Sequence, residues 1–401
     1  MAVDDSSRRL NPLAAHYRAF RVAERLLLTG HSHQAWPDVA LEGQVEAFRD
    51  AAEQVDEKWS RAFAKAERVR RGIAARLDDR GGDYALAAST HDLLVRLLSA
   101  LPLRRRPRVV TSDGEYHSAR RQLDRLVEEG LELVRLAADE PETLAGRLAR
   151  AVDDRTALVV VSHVLFESGR IVPGLGELAR ACERAGAALL VDAYHAVNVV
   201  PLSLPAEGLS GAFVVGGGYK YLQLGEGNAF LRVPAGATLR PAVTGWFAEF
   251  DALAAPRRPG EVSYGRGGAR FAGATYDPTS HYRAARVLDF FDAEGLDPNR
   301  LRALSQHQVG RLAAGFDALD LDPARIDRDR SAPLAALGGF LALRSPRAGA
   351  LCVALRERGV LTDFRDRTLR LGPAPYLSDG QLDDALAALG EAARALPRSE
   401  T

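Results

Sequence analysis

Short apolar runs alternate with amphipathic stretches from residue 84 onward, and this pattern predicts the fold. The apolar runs predict seven strands: Tyr84–Ala88, Arg108–Thr111, Leu131–Leu136, Ala157–Ser162, Ala187–Val191, Ala212–Val215 and Ala229–Val233. Stretches with helical periodicity separate most of the earlier runs: His91–Ala100, His117–Glu129, Pro141–Ala151 and Leu175–Arg184. Strand–helix alternation of this kind predicts an α/β protein with a mainly parallel sheet and helices on both faces. The short gap between the last two runs predicts one antiparallel pairing.

The pattern is different at the two ends of the chain. Met1–Arg9 is predicted to be a disordered lead, and Val39–Arg76 to form one or two helices. Beyond Pro241 the pattern loosens, with a loop at Pro256–Gly268. The remainder predicts helix Pro278–Ala293, another helix, strand Gly339–Leu343, helix Arg347–Arg358, strand Leu369–Leu371 and helix Ser378–Leu396. We therefore expect an N-terminal arm at 1–27, a large α/β domain at 28–277 and a smaller α+β domain at 278–401.

Composition narrows the class of protein. The 401 residues carry a formal net charge of zero, and no basic block is dense enough to indicate nucleic-acid binding. Cys182 and Cys352 both fall in helix-like patterns, which argues against a disulfide framework. The N-terminus lacks an apolar signal core and no apolar stretch is long enough to span a bilayer. A cytoplasmic protein with neither a nucleic-acid nor a membrane partner is expected, and no metal site is predicted.

The surroundings of Lys220 carry the strongest chemical signal. Lys220 follows a predicted strand within residues 216–222, which are G-G-G-Y-K-Y-L, and Asp192 follows the strand before it. Taken singly, such a lysine is ordinarily a surface residue and such an aspartate a cap. Three glycines and two tyrosines do not suit a solvated turn, because glycine lets the backbone approach a ligand closely. Pyridoxal 5'-phosphate (PLP) needs this pair: the amine forms a Schiff base with the aldehyde, and the carboxylate keeps the pyridine nitrogen protonated.

Other residues supply candidates for the remaining PLP contacts. Ser89 and Thr90 open a helix after a strand, where backbone donors bind phosphate; an ordinary N-cap is the alternative. His117 is a candidate to stack on the cofactor ring, with Tyr116 as the alternative. His163 ends the strand at the same sheet edge and is a candidate for the phenolic oxygen of the cofactor or for the substrate; a simple hydrogen-bonded histidine is the alternative.

Two further side chains complete the candidate site. His195, three residues past Asp192, is close enough for the phenolic oxygen of the cofactor. Arg370 lies inside an apolar strand, where an unpaired charge is costly, and a fork-shaped guanidinium is suited to a substrate carboxylate. The alternative for Arg370 is an internal salt bridge with Asp363 or Asp366.

Taken together, these motifs resemble those of the aminotransferase class V proteins of PLP-dependent fold type I, and within that family those of the kynureninase-like enzymes. The resemblance runs from about Leu28 to the C-terminus. The Y-K-Y-L run at 219–222 is similar to the kynureninase motif around the Schiff-base lysine, and 192–195 resembles the D-x-x-H of the family. Residues 369–376, L-R-L-G-P-A-P-Y, are similar to the kynureninase I-R-x-A-P-x-P-L-Y. Residues 115–118 and 162–165 look more like the E-H-H-S and S-N-V-L of cysteine desulfurases.

The resemblance implies roles for residues at matching positions. Tyr219 would contact the phosphate, His117 would stack on the ring, and His163 stands in place of a cofactor-contacting asparagine. Thr275 matches a phosphate ligand supplied by the neighbouring subunit, so a homodimer is implied. Arg370 would hold the substrate carboxylate.

The resemblance also places two further segments near the substrate. These are the segment with His31 and His33, and Gly245-Trp246, which is similar to the kynureninase G-W segment. The implied substrate is a small-molecule α-amino acid.

Departures from the family limit the choice of reaction. The kynureninase G-N-S-L-G segment is replaced here by G-H-S-H-Q at 30–34, and the F-R-x-S-N-P-P segment is poorly reproduced at 269–278. Neither cysteine lies in a mobile-loop context, which disfavours persulfide chemistry. The expected activity is kynureninase-like cleavage at the β-carbon, either hydrolytic Cα–Cβ cleavage or β-elimination. The alternatives are a class V aminotransferase and a non-catalytic scaffold with the PLP fold.

Overall fold

The computed structural model describes residues 11–253 and 259–395. The predicted lead at Met1–Arg9, part of the predicted loop at Pro256–Gly268 and the final residue of the predicted helix Ser378–Leu396 lie outside the described residues. Of that loop, residues 259–266 form neither helix nor strand, and a 3-10 helix begins at Gly267.

The strands and α-helices that the sequence predicts are present among the described residues in the predicted order. The short strands at Leu26–Leu27, Asp327–Arg328, Val360–Leu361 and Asp363–Arg365 were not predicted. The strands are β1 (Leu26–Leu27), β2 (Asp83–Ala87), β3 (Arg108–Ser112), β4 (Glu132–Leu136), β5 (Thr156–Ser162), β6 (Ala188–Asp192), β7 (Phe213–Gly216), β8 (Ala229–Val233), β9 (Asp327–Arg328), β10 (Leu341–Arg344), β11 (Val360–Leu361), β12 (Asp363–Arg365) and β13 (Thr368–Leu371). The α-helices are α1 (Val39–Gln54), α2 (Trp59–Arg76), α3 (Thr90–Ala100), α4 (His117–Val127), α5 (Pro141–Ala151), α6 (Leu175–Ala185), α7 (Thr279–Ala293), α8 (Pro298–Ala318), α9 (Ala348–Glu357) and α10 (Asp379–Ala395). Short 3-10 helices lie at Pro12–His16, Arg18–Phe20, Val22–Glu24, Trp246–Ala252, Gly267–Phe271 and Leu334–Ala336.

The central sheet has seven strands in the order β2-β8-β7-β6-β5-β3-β4. Strands β4, β3, β5, β6 and β7 pair in parallel, and β8 is antiparallel to both of its neighbours. The prediction of a mainly parallel sheet with one antiparallel connection between the last two runs is confirmed. All seven residues of β5 are buried, as expected for an inner parallel strand that is covered on both faces.

Parallel order brings the carboxyl ends of β5, β6 and β7 to one edge of the sheet. Ser162, the last residue of β5, is in register with Asp192, the last residue of β6, and Asp192 is in register with Val215 of β7. Open α/β sheets bind ligands at this edge. Ser162 and Asp192, which are 30 positions apart in the chain, therefore lie opposite each other on neighbouring strands.

A second sheet lies in the C-terminal part, with antiparallel strands in the order β12-β13-β10-β9. The N-terminal strand β1 pairs in parallel with β11, so the predicted arm returns to the C-terminal part of the chain. The fold class, a large α/β unit with a smaller α+β unit, is confirmed. The boundaries of the arm and the two domains, at residues 27 and 277, stay predictions.

Candidate active site

Lys220 lies just past the carboxyl end of β7, on the turn formed by the three glycines. Its side chain is buried, with 7% of the residue exposed. Its Nζ lies 2.7 Å from His195 Nε2 and 4.5 Å from the centre of the Tyr194 ring. A Cβ at Gly217 would overlap the Tyr194 ring, so the glycines allow the chain itself to pack closely. At Gly217 the group that approaches the backbone closely is the Tyr194 ring.

Asp192 ends β6 and belongs to the same cluster. Its Oδ1 accepts a hydrogen bond of 2.8 Å from the backbone N–H of Tyr194, the next residue but one. Burial raises the pKa of Asp192, while the Tyr194 N–H and the charge of Lys220 lower it, and the net shift is upward. Asp192 is therefore a carboxyl group with few compensating partners, placed beside a buried amine.

A small cavity lies at this sheet edge. Its lining comes from the ends of β5 and β6, the turn after β7 and the start of α4: Tyr116, Ser162, Val164, Phe166, Asp192, Tyr194, His195, Tyr219 and Lys220. Four of the nine lining residues are Tyr or Phe. A second small cavity shares Tyr116 and Asp192 with the first and reaches Thr90 at the start of α3. The two cavities therefore adjoin, one at the buried lysine and the other at a helix N-terminus.

Burial determines the protonation of the polar groups in the first cavity. It lowers the pKa of Lys220 from 10.5 to about 7; Asp192 raises that pKa, and Arg370 lowers it further. Burial and the charge of Lys220 lower the pKa of His195 well below its usual range. Within the described part of the chain, His195 Nδ1 has no hydrogen-bond partner. At neutral pH the cavity thus holds a neutral imidazole and an amine that is in large part neutral and nucleophilic.

The start of α3, where the sequence predicts a phosphate site, adjoins the second cavity. Ser89 caps the helix, because its side chain accepts a hydrogen bond from Asp92 N at 3.2 Å, so the N-cap alternative is present. Thr90 is the first helical residue and lines the second cavity. A helix N-terminus carries unsatisfied N–H donors and a favourable dipole for anions. A phosphate there would lie next to the cavity that contains Lys220.

The aromatic residue facing the cavities is Tyr116, the alternative named for ring stacking. His117 is exposed, and its ring meets the edge of Phe166 with 5.0 Å between ring centres. Tyr116 lines both cavities. The reason is local: α4 begins at His117, and Tyr116 precedes it in extended backbone, so the two side chains diverge. The structure leaves His117 beside the site rather than on its wall.

His163 is buried but is not part of the cavity wall. Ser162 and Val164 line the cavity on either side of it in sequence, since successive residues of an extended chain face opposite sides. Burial lowers the pKa of His163 to about 4, and its Nδ1 has no hydrogen-bond partner among the described residues. His163, which we predicted to contact the cofactor, therefore does not line the cavity that contains Lys220.

Tyr219 and His33 lie together at the cavity. The two rings stack with centres 4.6 Å apart, and Tyr219 also contacts the Tyr194 ring at 4.9 Å. Tyr219 lines the cavity, whereas His33 is exposed on its outer side. The N-terminal segment predicted to lie near the substrate therefore reaches the site through a ring-on-ring contact.

Arg370 is almost fully buried, at 1% exposure, and forms the internal salt bridge named as its alternative role. Its Nε and Nη2 donate to the two carboxylate oxygens of Asp363 at 2.9 and 2.6 Å. Register explains the choice of partner: Asp363 on β12 is directly opposite Arg370 on β13, while Asp366 lies in the turn between them. His31 also contacts Asp363, with Nε2 2.7 Å from Oδ1. The salt bridge and the substrate role remain compatible, because Arg370 has further donors.

Trp246 and Thr275 lie together but away from this cavity. Trp246 Nε1 donates to Thr275 Oγ1 at 3.2 Å, and both residues are exposed. The ring of Trp246 contacts Phe247 and Phe250. Neither Trp246 nor Thr275 lines the Lys220 cavity of its own chain.

Glu115 is a buried carboxyl group at the site that the sequence analysis did not single out. It accepts hydrogen bonds from the hydroxyls of Ser112 and Ser162, each at 2.6 Å. Burial raises its pKa to about 7, the two serines lower it, and Asp192 raises it further. The sequence contains one signal for this role: a carboxylate follows a strand that ends at the ligand-binding edge of the sheet. Capping is the commoner role of such a residue, so the signal was weak.

The arrangement fits PLP. A buried amine with a lowered pKa, a carboxyl group, an imidazole whose Nδ1 has no partner among the described residues and a helix N-terminus lie around two adjoining cavities. These are the groups that a cofactor aldehyde, pyridine nitrogen, phenolic oxygen and phosphate require. Among the described residues, no group of three or more His, Cys, Asp or Glu side chains is placed to hold a metal ion. None of the helices in residues 11–253 and 259–395 has the length and apolar character needed to cross a bilayer.

Comparison with known proteins gives two family matches. The aminotransferase class-V model matches residues 87–222, and the kynureninase C-terminal domain model matches residues 328–389. Kynureninase of Pseudomonas fluorescens is 27% identical over 94% of this chain and 92% of its own length. Kynureninase of Burkholderia pseudomallei (strain 1106a) is 28% identical over 91% and 88%. The uncharacterized aminotransferase YcbU of Bacillus subtilis (strain 168) is 23% identical over 85% and 88%.

Solved structures share the fold at lower identity. A C-DES mutant with glycine covalently linked to the PLP cofactor superposes with a TM-score of 0.82 at 16% identity, covering 95% of this chain and 99% of that one. The apo cysteine desulfurase from Thermococcus onnurineus NA1 gives a TM-score of 0.78 at 17% identity, with 99% of both chains covered. The predicted fold type I architecture is confirmed.

Proposed function

We propose that this chain, which is related to the aminotransferase class-V family and takes PLP as its cofactor, cleaves an α-amino acid at the β-carbon in the manner of a kynureninase. The observation that supports an enzyme is the buried Lys220 amine, with its lowered pKa, 2.7 Å from His195 and beside Asp192. A non-catalytic scaffold has no need to maintain a buried nucleophile with so few compensating partners. The kynureninase matches and the aromatic cavity wall support the reaction type.

Bound PLP would supply an electron sink for a substrate amino acid, and the protein would determine which bond breaks. Lys220 would attach the cofactor. Asp192 would hold a proton at the pyridine nitrogen, and His195 would donate to or accept from the phenolic oxygen. The N-terminus of α3, with Ser89 and Thr90, would bind the phosphate. Tyr219 would add its hydroxyl there, and Tyr116 or His117 would stack on the ring.

The substrate is held by a second group of residues. Arg370 binds the α-carboxylate, and the segment with His31 and His33 closes the site near the substrate. Tyr116, Phe166 and Tyr194 give the cavity an apolar wall suited to a bulky or aromatic side chain. We propose hydrolytic Cα–Cβ cleavage of an aryl-keto amino acid or loss of a β-substituent.

Persulfide chemistry is a poor fit. Both cysteines of the chain are buried, and neither lines the cavity. Burial raises the pKa of Cys182 to about 12, which keeps it a thiol rather than the reactive thiolate. The structural likeness to cysteine desulfurases therefore supports the fold and not that reaction.

Transamination is the second candidate, favoured by the match to an aminotransferase in Bacillus subtilis. Single-turnover spectra with a panel of amino acids separate the two. A lytic enzyme releases alanine or pyruvate and retains the original absorbance of the cofactor. Stoichiometric conversion of PLP to pyridoxamine phosphate, restored only by a keto acid, would assign the chain to transamination.

The enzyme is proposed to be a homodimer in which the partner subunit contributes Thr275 to the phosphate and Trp246 to the substrate. This is supported by the exposure of Trp246 (43%) and Phe250 (40%) around Thr275, an apolar surface outside the chain's own cavity. Sedimentation should show a dimer at micromolar concentration. Thr275→Ala should weaken PLP binding, and a monomer with full cofactor occupancy would remove the proposal.

A further inference from the structure

We propose that Asp363 positions Arg370 for the substrate carboxylate, so that the carboxylate site is an assembly of His31, Asp363 and Arg370 and not a single arginine. The inference rests on the proposed function, in which Arg370 holds that carboxylate. Asp363 touches neither cofactor nor substrate in this proposal. It acts through the orientation of the guanidinium.

The hydrogen bonds of Arg370 leave two donors for a second carboxylate. A guanidinium has five N–H donors. Nε and Nη2 donate to Asp363, and Nη1 donates to the carbonyl oxygen of Phe166 at 2.7 Å. Three donors are thereby used, and two, one on each Nη, remain.

The surroundings of Arg370 make Asp363 necessary for its placement. The guanidinium contacts two aromatic rings, 4.9 Å from the centre of Phe166 and 5.7 Å from that of Phe340. Ring contacts are not directional hydrogen bonds, so they do not fix rotation of the guanidinium within its own plane. The bidentate bond to Asp363 stops that rotation, and it also compensates a charge that would be costly to bury alone.

His31 in turn fixes Asp363. Its ring is fully buried, and burial lowers its pKa to about 4, so it is neutral at pH 7 and donates from Nε2 to Asp363 Oδ1. Burial raises the pKa of Asp363, but the His31 hydrogen bond and the Arg370 guanidinium lower it well below its usual range. Asp363 is therefore ionised at every pH of interest.

The local charge still favours an anion. Arg365 Nη2 lies 3.6 Å from Asp363 Oδ2, so two guanidinium groups share one carboxylate. With His31 neutral, the group carries one net positive charge. Phe166 lines the Lys220 cavity and contacts Arg370, so this charge lies directly behind one residue of the cavity wall. A substrate carboxylate would complete the pairing.

Asp363→Asn tests the assembly, because asparagine keeps the shape and removes the charge and one acceptor. Asp366→Asn is the matched control: it makes the same change in the same hairpin at an exposed residue, and asparagine tolerates the positive φ of 46° there. The readout is equilibrium binding of L-alanine and of L-alaninamide to the PLP-loaded protein, followed by cofactor absorbance. The two probes differ only at the carboxyl group.

We expect the wild-type protein and Asp366→Asn to bind L-alanine more tightly than L-alaninamide. In Asp363→Asn this preference should fall at least tenfold, while binding of the amide changes little. A purely structural loss would weaken both ligands alike and leave the ratio unchanged, which would overturn the proposal. A ratio that rises would show instead that Asp363 competes with the substrate for Arg370, and would overturn it as well.

Failure of the underlying function gives a different result. If the wild-type protein binds acid and amide equally, Arg370 is not the carboxylate site and the proposed function loses its substrate contact. If Asp363→Asn fails to fold, Asp363→Glu retains the charge and displaces the carboxylate by one methylene. A reduced acid-to-amide preference in that variant supports the positioning role, and an unchanged preference removes it.

Discussion

Two buried polar clusters lie against each other in this protein and differ in how their charges are compensated. Around Lys220 the groups have few partners: the amine contacts His195, and His195 Nδ1 has no partner among the described residues. Around Arg370 the opposite holds, because Asp363 receives hydrogen bonds from both His31 and Arg370. The pKa values reflect this difference. The pKa of Lys220 is lowered toward pH 7, whereas the pKa of Asp363 is lowered far from pH 7.

The difference shows that burial has two distinct effects on the charged groups of this site. Desolvation without compensation produces groups that change protonation near pH 7, as chemistry requires. Desolvation with compensation produces charges that are held in place and orient a ligand. Phe166 is the contact between them, since it lines the first cluster and packs on the guanidinium of the second.

Lys220→Ala should break the first cluster completely, with loss of turnover and of covalent cofactor attachment, because neither Lys58 nor Lys65 lines the cavity. The chain has three lysines, Lys58, Lys65 and Lys220, so borohydride reduction followed by peptide mapping is unambiguous. Lys58→Ala is the control and should retain both properties. Label on Lys58 or Lys65 in the wild-type protein would contradict the assignment, as would a protein that gains no absorbance band with added PLP.

Arg370→Ala should break the second cluster and lower kcat/KM by about a hundredfold or more, since a charged, desolvated contact to substrate is lost. Arg367→Ala, an exposed arginine in the same hairpin, is the control. Steady-state kinetics with the native substrate measures both. Equal kcat/KM in the two variants would remove Arg370 from the site.

The pH dependence of cofactor attachment should test the lowered pKa of Lys220, which distinguishes its cluster from that of Arg370. Burial places the pKa of Lys220 at about 7, so its neutral form increases about tenfold per pH unit below 7 and is nearly complete above 8. The rate at which apo protein attaches PLP should rise from pH 5.5 to 7 and then level off. A rate that still increases tenfold per unit between pH 8 and 10 would show an amine with the ordinary pKa of 10.5.

Glu115→Gln should have the smallest effect, and on stability rather than on turnover. The folded pKa of Glu115, about 7, exceeds its ordinary value of 4.5, so native stability falls as pH rises from 4.5 through 7. Glutamine cannot titrate, and the variant should gain up to about 3 kcal/mol relative to wild type across that window. Urea unfolding of apo protein at pH 5 and pH 8 measures this. A pH-independent difference would mean that Glu115 is already ionised at pH 5.

Much of the fold follows from local pattern. The strand Ala229–Val233 and the helix Pro141–Ala151 have the predicted bounds, and other elements differ by one or a few residues at an end. Periodicity is a property of neighbouring residues, and burial of each apolar face against the sheet reinforces it. The positions of Asp192 and Lys220 at one edge followed from the rule that parallel strands end together.

Choices between neighbouring side chains did not follow from pattern. Whether Tyr116 or His117 faces the cavity depends on the residue at which α4 begins, and helix boundaries are weakly encoded. Ser162 faces the cavity and His163 does not, because successive side chains of an extended chain point to opposite sides. A displacement of one residue reverses each assignment.

The sequence by itself determined the order of the main elements and the cofactor, and it singled out Lys220 as the candidate reactive lysine, because these inferences depend on apolar periodicity and on residue types at strand ends. The tertiary structure decided the compensation of charge. Only strand register puts Asp363 rather than Asp366 opposite Arg370, and only the return of the N-terminal segment to the C-terminal sheet brings His31 to Asp363. The pKa of a buried group depends on all its neighbours in space, and those neighbours come from residues more than 300 positions apart.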